Sequence, residues 1–119
     1  MSRRRRELKQ EAEDRWPNLY QFIGCYLHED WPEMYGTPTQ AISAAVSEFP
    51  LELRQQVLRE WRNWNATVGA VDDIRSLLDN GLGACVYFET PLEARNFMNS
   101  VYDRLIESVR KDYGEDWNP

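Results

Sequence analysis

The sequence predicts an all-α protein: a compact bundle of about five helices with one short apolar loop or strand-like segment at residues 81–89. Three observations predict it. Prolines stand at 17, 38, 50 and 91, two of them directly after a threonine, and proline is well tolerated at the first position of a helix. Between these marks, apolar residues recur three and four apart, the spacing of one helical face. The longest β-prone run, Val86-Tyr87-Phe88, is too short to build a sheet alone.

The 119 residues fit one domain, and 42% apolar with 13% aromatic content is enough for a core of large rings. Charge divides the chain. Residues 1–15 hold six basic and four acidic groups, a net of +2, and residues 16–119 hold eight and sixteen, a net of −8, giving −6 overall. The reading is therefore a charged N-terminal helix or arm (1–15) followed by a single helical domain (16–119). An acidic body repels nucleic acid and attracts basic partners.

In the arm, Arg3–Glu7 and Lys9–Glu13 sit four apart, which suits a solvated helix, but arginines crowd its positive end. A frayed helix docked by Leu8 and Ala12 is expected. Pro17 opens the next helix, in which Trp16, Leu19, Tyr20, Ile23, Tyr26 and Leu27 share a face, while Phe22 and Cys25 widen the stripe. A helix apolar on most sides belongs at a bundle's centre. It should end near Asp30, with Pro32 and Gly36 in the loop beyond. Thr37-Pro38 caps a helix with Ile42, Ala45, Val46 and Phe49 inward. Pro50 opens another, with Leu53, Val57, Trp61, Trp64 and Val68 inward and Gly69 as its stop. A shorter amphipathic helix is expected over 71–80, with Ile74, Leu77 and Leu78 inward. After the 81–89 segment, which should pack over the bundle, Thr90-Pro91-Leu92-Glu93 carries the strongest start signal, a capping box. Ala94, Phe97, Met98, Val101, Tyr102, Leu105 and Val109 then carry a helix to about 111, and residues 115–119 read as a loose tail.

Chemistry-bearing patterns are sparse. Cys25 and Cys85 lack metal-ligand spacing and read as two buried reduced thiols of a cytoplasmic protein. The charged start has no apolar core behind it, so no signal peptide is expected, and no run approaches a membrane span. The one histidine, His28, stands beside Glu29 and Asp30, but helix neighbours one and two apart point in different directions and cannot converge on one atom. A helix-end role that holds Trp31 is the expectation. Gly81-Leu82-Gly83 lacks the strand–turn–helix setting of a phosphate loop. No catalytic, cofactor-binding or metal-ligating residues are expected, and no cofactor. What does cluster is acid: Glu29, Asp30 and Glu33; Asp72, Asp73 and Asp79; Asp112, Glu115 and Asp116. Each set also reads as an ordinary solvated face.

The run from Trp16 to Trp31, with Pro17, Tyr20, Gln21, Phe22, Gly24, His28, Asp30 and Trp31 as its marks, resembles the N-terminal signature of a family of contact-dependent growth inhibition immunity proteins. Members read proline, two residues, tyrosine, glutamine, an aromatic and glycine, and later histidine, an acid or amide, aspartate and tryptophan. The run from Leu82 to Phe88 resembles a second, weaker family segment, a glycine–cysteine–tyrosine–tyrosine run, from which Ala84 and Val86 depart. The resemblance implies a helical, cytoplasmic, non-enzymatic bacterial protein that binds and neutralises the C-terminal toxin domain of a contact-dependent growth inhibition effector, often a nuclease. The signature residues read as structural. The toxin-binding residues expected from charge are Glu29, Asp30, Glu33 and Tyr35, with Asp72, Asp73 and Asp79, facing a basic toxin domain, with no direct nucleic-acid or membrane partner. The other reading from the residues is a non-enzymatic helical adaptor or regulatory interaction module; a hydrolase centred on His28 is a third. The oligomeric state stays open.

Overall fold

The computed structural model describes residues 3–119, so the first two residues of the charged arm lie outside the description. The chain is all-α. Among the described residues, six helices, α1 (Arg3–Arg15), α2 (Pro17–Tyr26), α3 (Trp31–Tyr35), α4 (Pro38–Glu48), α5 (Leu51–Ala66) and α6 (Pro91–Asp112), are joined by loops and one π-helical turn (Leu77–Gly81). No strand occurs among the described residues: 82–89 is an irregular loop, not a strand-like segment.

Helix α2 is the spine. Leu19, Phe22, Ile23 and Leu27 are fully buried, and α2 packs on α1, α4 and α5. Around it close Ala41, Ile42 and Ala45 of α4, Val57, Leu58, Trp61 and Trp64 of α5, and Ala94, Met98, Val101, Leu105 and Val109 of α6. Rings meet edge to face, as their quadrupoles prefer: Phe22 with Phe49 at 5.2 Å and Trp61 with Tyr102 at 5.6 Å between centroids.

The N-terminal end of α2 has no cap of its own, because Trp16 offers no acceptor. Glu60 of α5 supplies one across the core. Its carboxylate accepts the Asn18 and Leu19 amides at 2.9 and 3.1 Å, and the Asn18 side-chain amide as well. An anion there satisfies orphan donors and opposes the helix dipole. The other caps follow the sequence. Thr37 accepts from the Gln40 amide and Thr90 from the Glu93 amide, while Glu93 reaches back to the Glu89 amide.

Five expectations need correcting. Helix α2 stops at Tyr26 rather than near Asp30, because the Leu27 carbonyl is taken by the Cys85 amide at 2.7 Å. Pro32 is no loop residue: it stands in the first turn of α3, which ends at Gly36 with φ +90°. The 71–80 helix shrinks to the π turn and a short lead-in, because Asp73 accepts the Arg75 amide and so starts the turn late. Helix α5 ends at Ala66, before Gly69. There the chain folds back so closely that a Cβ on Gly69 would lie 2.5 Å from the Trp64 ring. The tail is tied down: Trp117 is buried with its carbonyl on Arg110, and Arg62 holds the Pro119 carbonyl at 2.8 Å.

Helix α1 forms over its full charged length, with Arg3–Glu7, Lys9–Glu13 and Arg15–Glu11 pairs along its surface. Leu8 and Ala12 bury, and α1 packs mainly on the π turn.

Candidate partner-binding surface

The two segments that carry the family resemblance meet in space. The Cα of Gly24 lies 4.0 Å from where a Cβ on Gly83 would stand, and Gly83 has φ +75°, a conformation glycine adopts without strain. Trp31 donates its indole N–H to the Cys85 carbonyl at 2.7 Å. The Cys85 amide in turn holds Leu27. The signature segment thus clamps the 82–89 loop onto the bundle.

Within that segment most side chains are engaged internally. Phe22 is buried, Tyr20 is half-buried, and the Tyr26 hydroxyl donates to Glu48 at 2.8 Å. His28 accepts the Asp30 amide on Nδ1 at 3.0 Å, which makes it a turn-forming residue. Pro17 takes the first position of α2. Gln21 is exposed, and nothing in the structure explains it.

Of the expected toxin-binding residues, Glu29, Asp30, Glu33, Asp72, Asp73 and Asp79 are exposed, and Tyr35 is half-buried against the Tyr26 ring at 6.0 Å. Asp79 lines a pocket with Tyr20, Cys85, Arg5 and Lys9. Asp79 and Glu29 both raise the Cys85 thiol pKa, after the larger effect of partial desolvation. Asp73 is committed elsewhere: both its oxygens bind Arg75, at 2.9 and 2.8 Å, and hold its carboxyl down at about 2. Arg75 also donates to the carbonyls of Phe88 and Glu89. Glu33 lies on α3, which packs against α4. Asp112 is committed to Arg54 at 2.7 Å. Cys25 and Cys85 are free thiols and both are exposed, against the expectation of burial, because Cys25 sits on the outer side of α2 and Cys85 on an open loop.

The body's cations are used differently from its acids. Arg54, 7% exposed, binds the Phe49 carbonyl, Ser108 and Asp112. Arg95 binds the carbonyls of Gly69 and Val71, Arg104 reaches Thr39 and Ser43, and Arg59 lies over the Trp117 ring. With Arg62, Arg75 and Arg110, seven of the eight body cations hold the fold together. Asp72, Asp79, Glu29 and Glu33 have no ion-pair partner among the described residues.

Sequence reasoning missed the apolar part of the surface. Tyr87 is 84% exposed, Leu92 66% and Val71 48%. The signal was available at Tyr87, since an extended segment alternates sides and Val86 and Phe88 pack inward. One wide polar groove of about 650 Å³ lies elsewhere, between α5 and α6, lined by Arg62, Asn65, Asn99, Tyr102 and Asp103. Among the described residues no three His, Cys, Asp or Glu side chains group as metal ligands would, and no helix is long and apolar enough to cross a membrane.

These features define a small all-α protein that offers a partner carboxylates and a few apolar side chains. The sequence model of one family, described as CdiI immunity protein, matches residues 15–105, well over half of the chain. The protein belongs to that family. Among curated proteins and among solved structures, nothing matches the chain.

Proposed function

We propose that the protein neutralises a toxin by binding it directly. It would act in the bacterial cytoplasm, on the C-terminal domain of a contact-dependent growth inhibition effector. The family match over residues 15–105 carries this reading. Charge adds the chemistry of the partner. A body of net −8 attracts a basic protein, and a nuclease must hold phosphates and so presents a basic cleft. The protein then acts as a competing anion rather than as a catalyst, with its exposed carboxylates at 29, 30, 33, 72 and 79 steering the encounter. Residues 16–119 form the immunity domain in this reading, and α1 is an added helix that covers the π turn.

The test is co-expression. The toxin domain of the effector encoded beside this chain's gene is expected to arrest growth alone. Growth should return when this chain is present, with both proteins eluting as one complex. Growth arrest that persists, with no complex formed, contradicts the reading and favours the adaptor alternative.

A further inference from the structure

Three segments meet at one corner of the surface. Arg95 of α6 ties down the carbonyls of Gly69 and Val71, and Arg75 ties down those of Phe88 and Glu89. Phe88 packs on Phe97 of α6, ring centroids 5.3 Å apart. The 69–75 loop, the 82–89 loop and the first turns of α6 are thus locked into one corner. Each contributes one exposed apolar side chain: Val71, Tyr87 and Leu92. Among the described residues, three of the six exposed large apolar side chains are here, and Tyr87 is the most exposed of the six. The corner is also acidic. Asp72, Asp79 and Glu89 have no ion-pair partner among the described residues, and Glu93 adds a fourth carboxylate. The two guanidiniums of these three segments, Arg75 and Arg95, have their donors on backbone carbonyls and on Asp73, while Arg5 and Lys9 border Asp79 from the α1 side.

We propose that this corner, with Tyr87 as its central anchor, is where the toxin domain docks; the assignment rests on the immunity reading and adds the surface to it. The occupant is a basic protein with an apolar depression for the Tyr87 ring. Interfaces draw most affinity from a few anchors, with tyrosine prominent among them, inside a rim that excludes water. Charged rim groups speed encounter. A corner held rigid by arginine–carbonyl bonds loses little further freedom on binding. The rival face at α3 offers one exposed apolar side chain, Met34, beside Glu33, and Tyr35 there is turned inward.

Affinity of the full chain for the toxin domain encoded beside it tests this assignment. Tyr87→Ala and, separately, Leu92→Ser should each weaken binding by about tenfold or more. Both side chains are exposed, so melting temperatures should hold. Tyr113→Ala removes another exposed aromatic, at 67%, from the far end of α6 and should bind as the wild type does. Amide exchange in the complex should slow at 69–75 and 85–92. A wild type that binds while both corner variants bind equally well overturns the docking assignment alone, as does protection confined to residues 28–36. A wild type that binds no toxin domain overturns the immunity reading and this assignment with it.

Discussion

Residues 16–31 and the corner built from 69–75, 82–89 and 91–95 are handled in opposite ways by the same fold. In the first, side chains turn inward: Leu19, Phe22, Ile23 and Leu27 bury, and Trp31 and His28 bond to backbone. In the second, Ile74, Leu82 and Phe88 still pack inward, but arginines bond the backbone and a few large side chains are left outside. Arg75 and Arg95 hold four carbonyls there, while Tyr87, Leu92 and Asp72 face solvent. The difference teaches where to look for a partner. The segment that identifies the family is scaffold. The corner proposed for the partner holds only the weaker family segment, 82–88, and leaves its Tyr87 exposed.

The comparison breaks most easily on stability. Ile23→Ala removes part of a fully buried side chain from the spine and should cost about 2–4 kcal/mol in denaturant unfolding. Tyr87→Ala should stay within about 0.5 kcal/mol of wild type, as exposed positions usually do. Similar losses at both sites would erase the distinction between scaffold and surface.

Two further substitutions test how the regions are joined. Glu60→Ala strips the acceptor from the start of α2 and should cost about 1–2 kcal/mol, measured the same way. Trp31→Phe keeps the ring but loses the N–H that holds the Cys85 carbonyl, at a cost of about 1 kcal/mol. If the clamp positions the 82–89 loop, amide exchange in that loop should quicken in this variant while exchange in α5 does not change.

The smallest effect expected is on pH. Asp73 has its carboxyl lowered in the folded state to about 2 by Arg75. A depressed carboxyl contributes stability above its unfolded pKa, about 3.9, and loses it as pH falls through the folded value. Melting temperature should therefore lose this contribution between about pH 4 and pH 2. In Asp73→Asn that part of the acid loss should be missing, and between pH 5 and 8 the pair should add no pH dependence.

Much of the fold was legible because caps and period are local. Thr37-Pro38 and Thr90-Pro91 start α4 and α6 where the sequence places them, through the Thr37 and Thr90 hydroxyls. The spine was legible from Leu19, Ile23 and Leu27. What failed was set by contacts far apart in sequence. The early end of α2 depends on Cys85, and the burial of Trp117 on Arg59 and Arg110. The π turn depends on how Asp73 folds the chain ahead of it. At the surface, acidic residues could be counted but not sorted. Nothing local says that Asp73 is spent on Arg75 and Asp112 on Arg54 while Asp72 is not.

The most direct test of the account is the association rate of toxin domain and immunity protein at low and at physiological salt. Asp72 and Glu89 are the carboxylates to reverse, because both are exposed and neither forms an ion pair among the described residues. With Asp72→Lys and Glu89→Lys together, association at low salt should slow by about tenfold, and the gap should shrink at physiological salt, where charges are screened beyond about 8 Å. An association rate indifferent to both the reversal and the salt, with the complex still forming, would contradict capture of a basic toxin through this acidic corner.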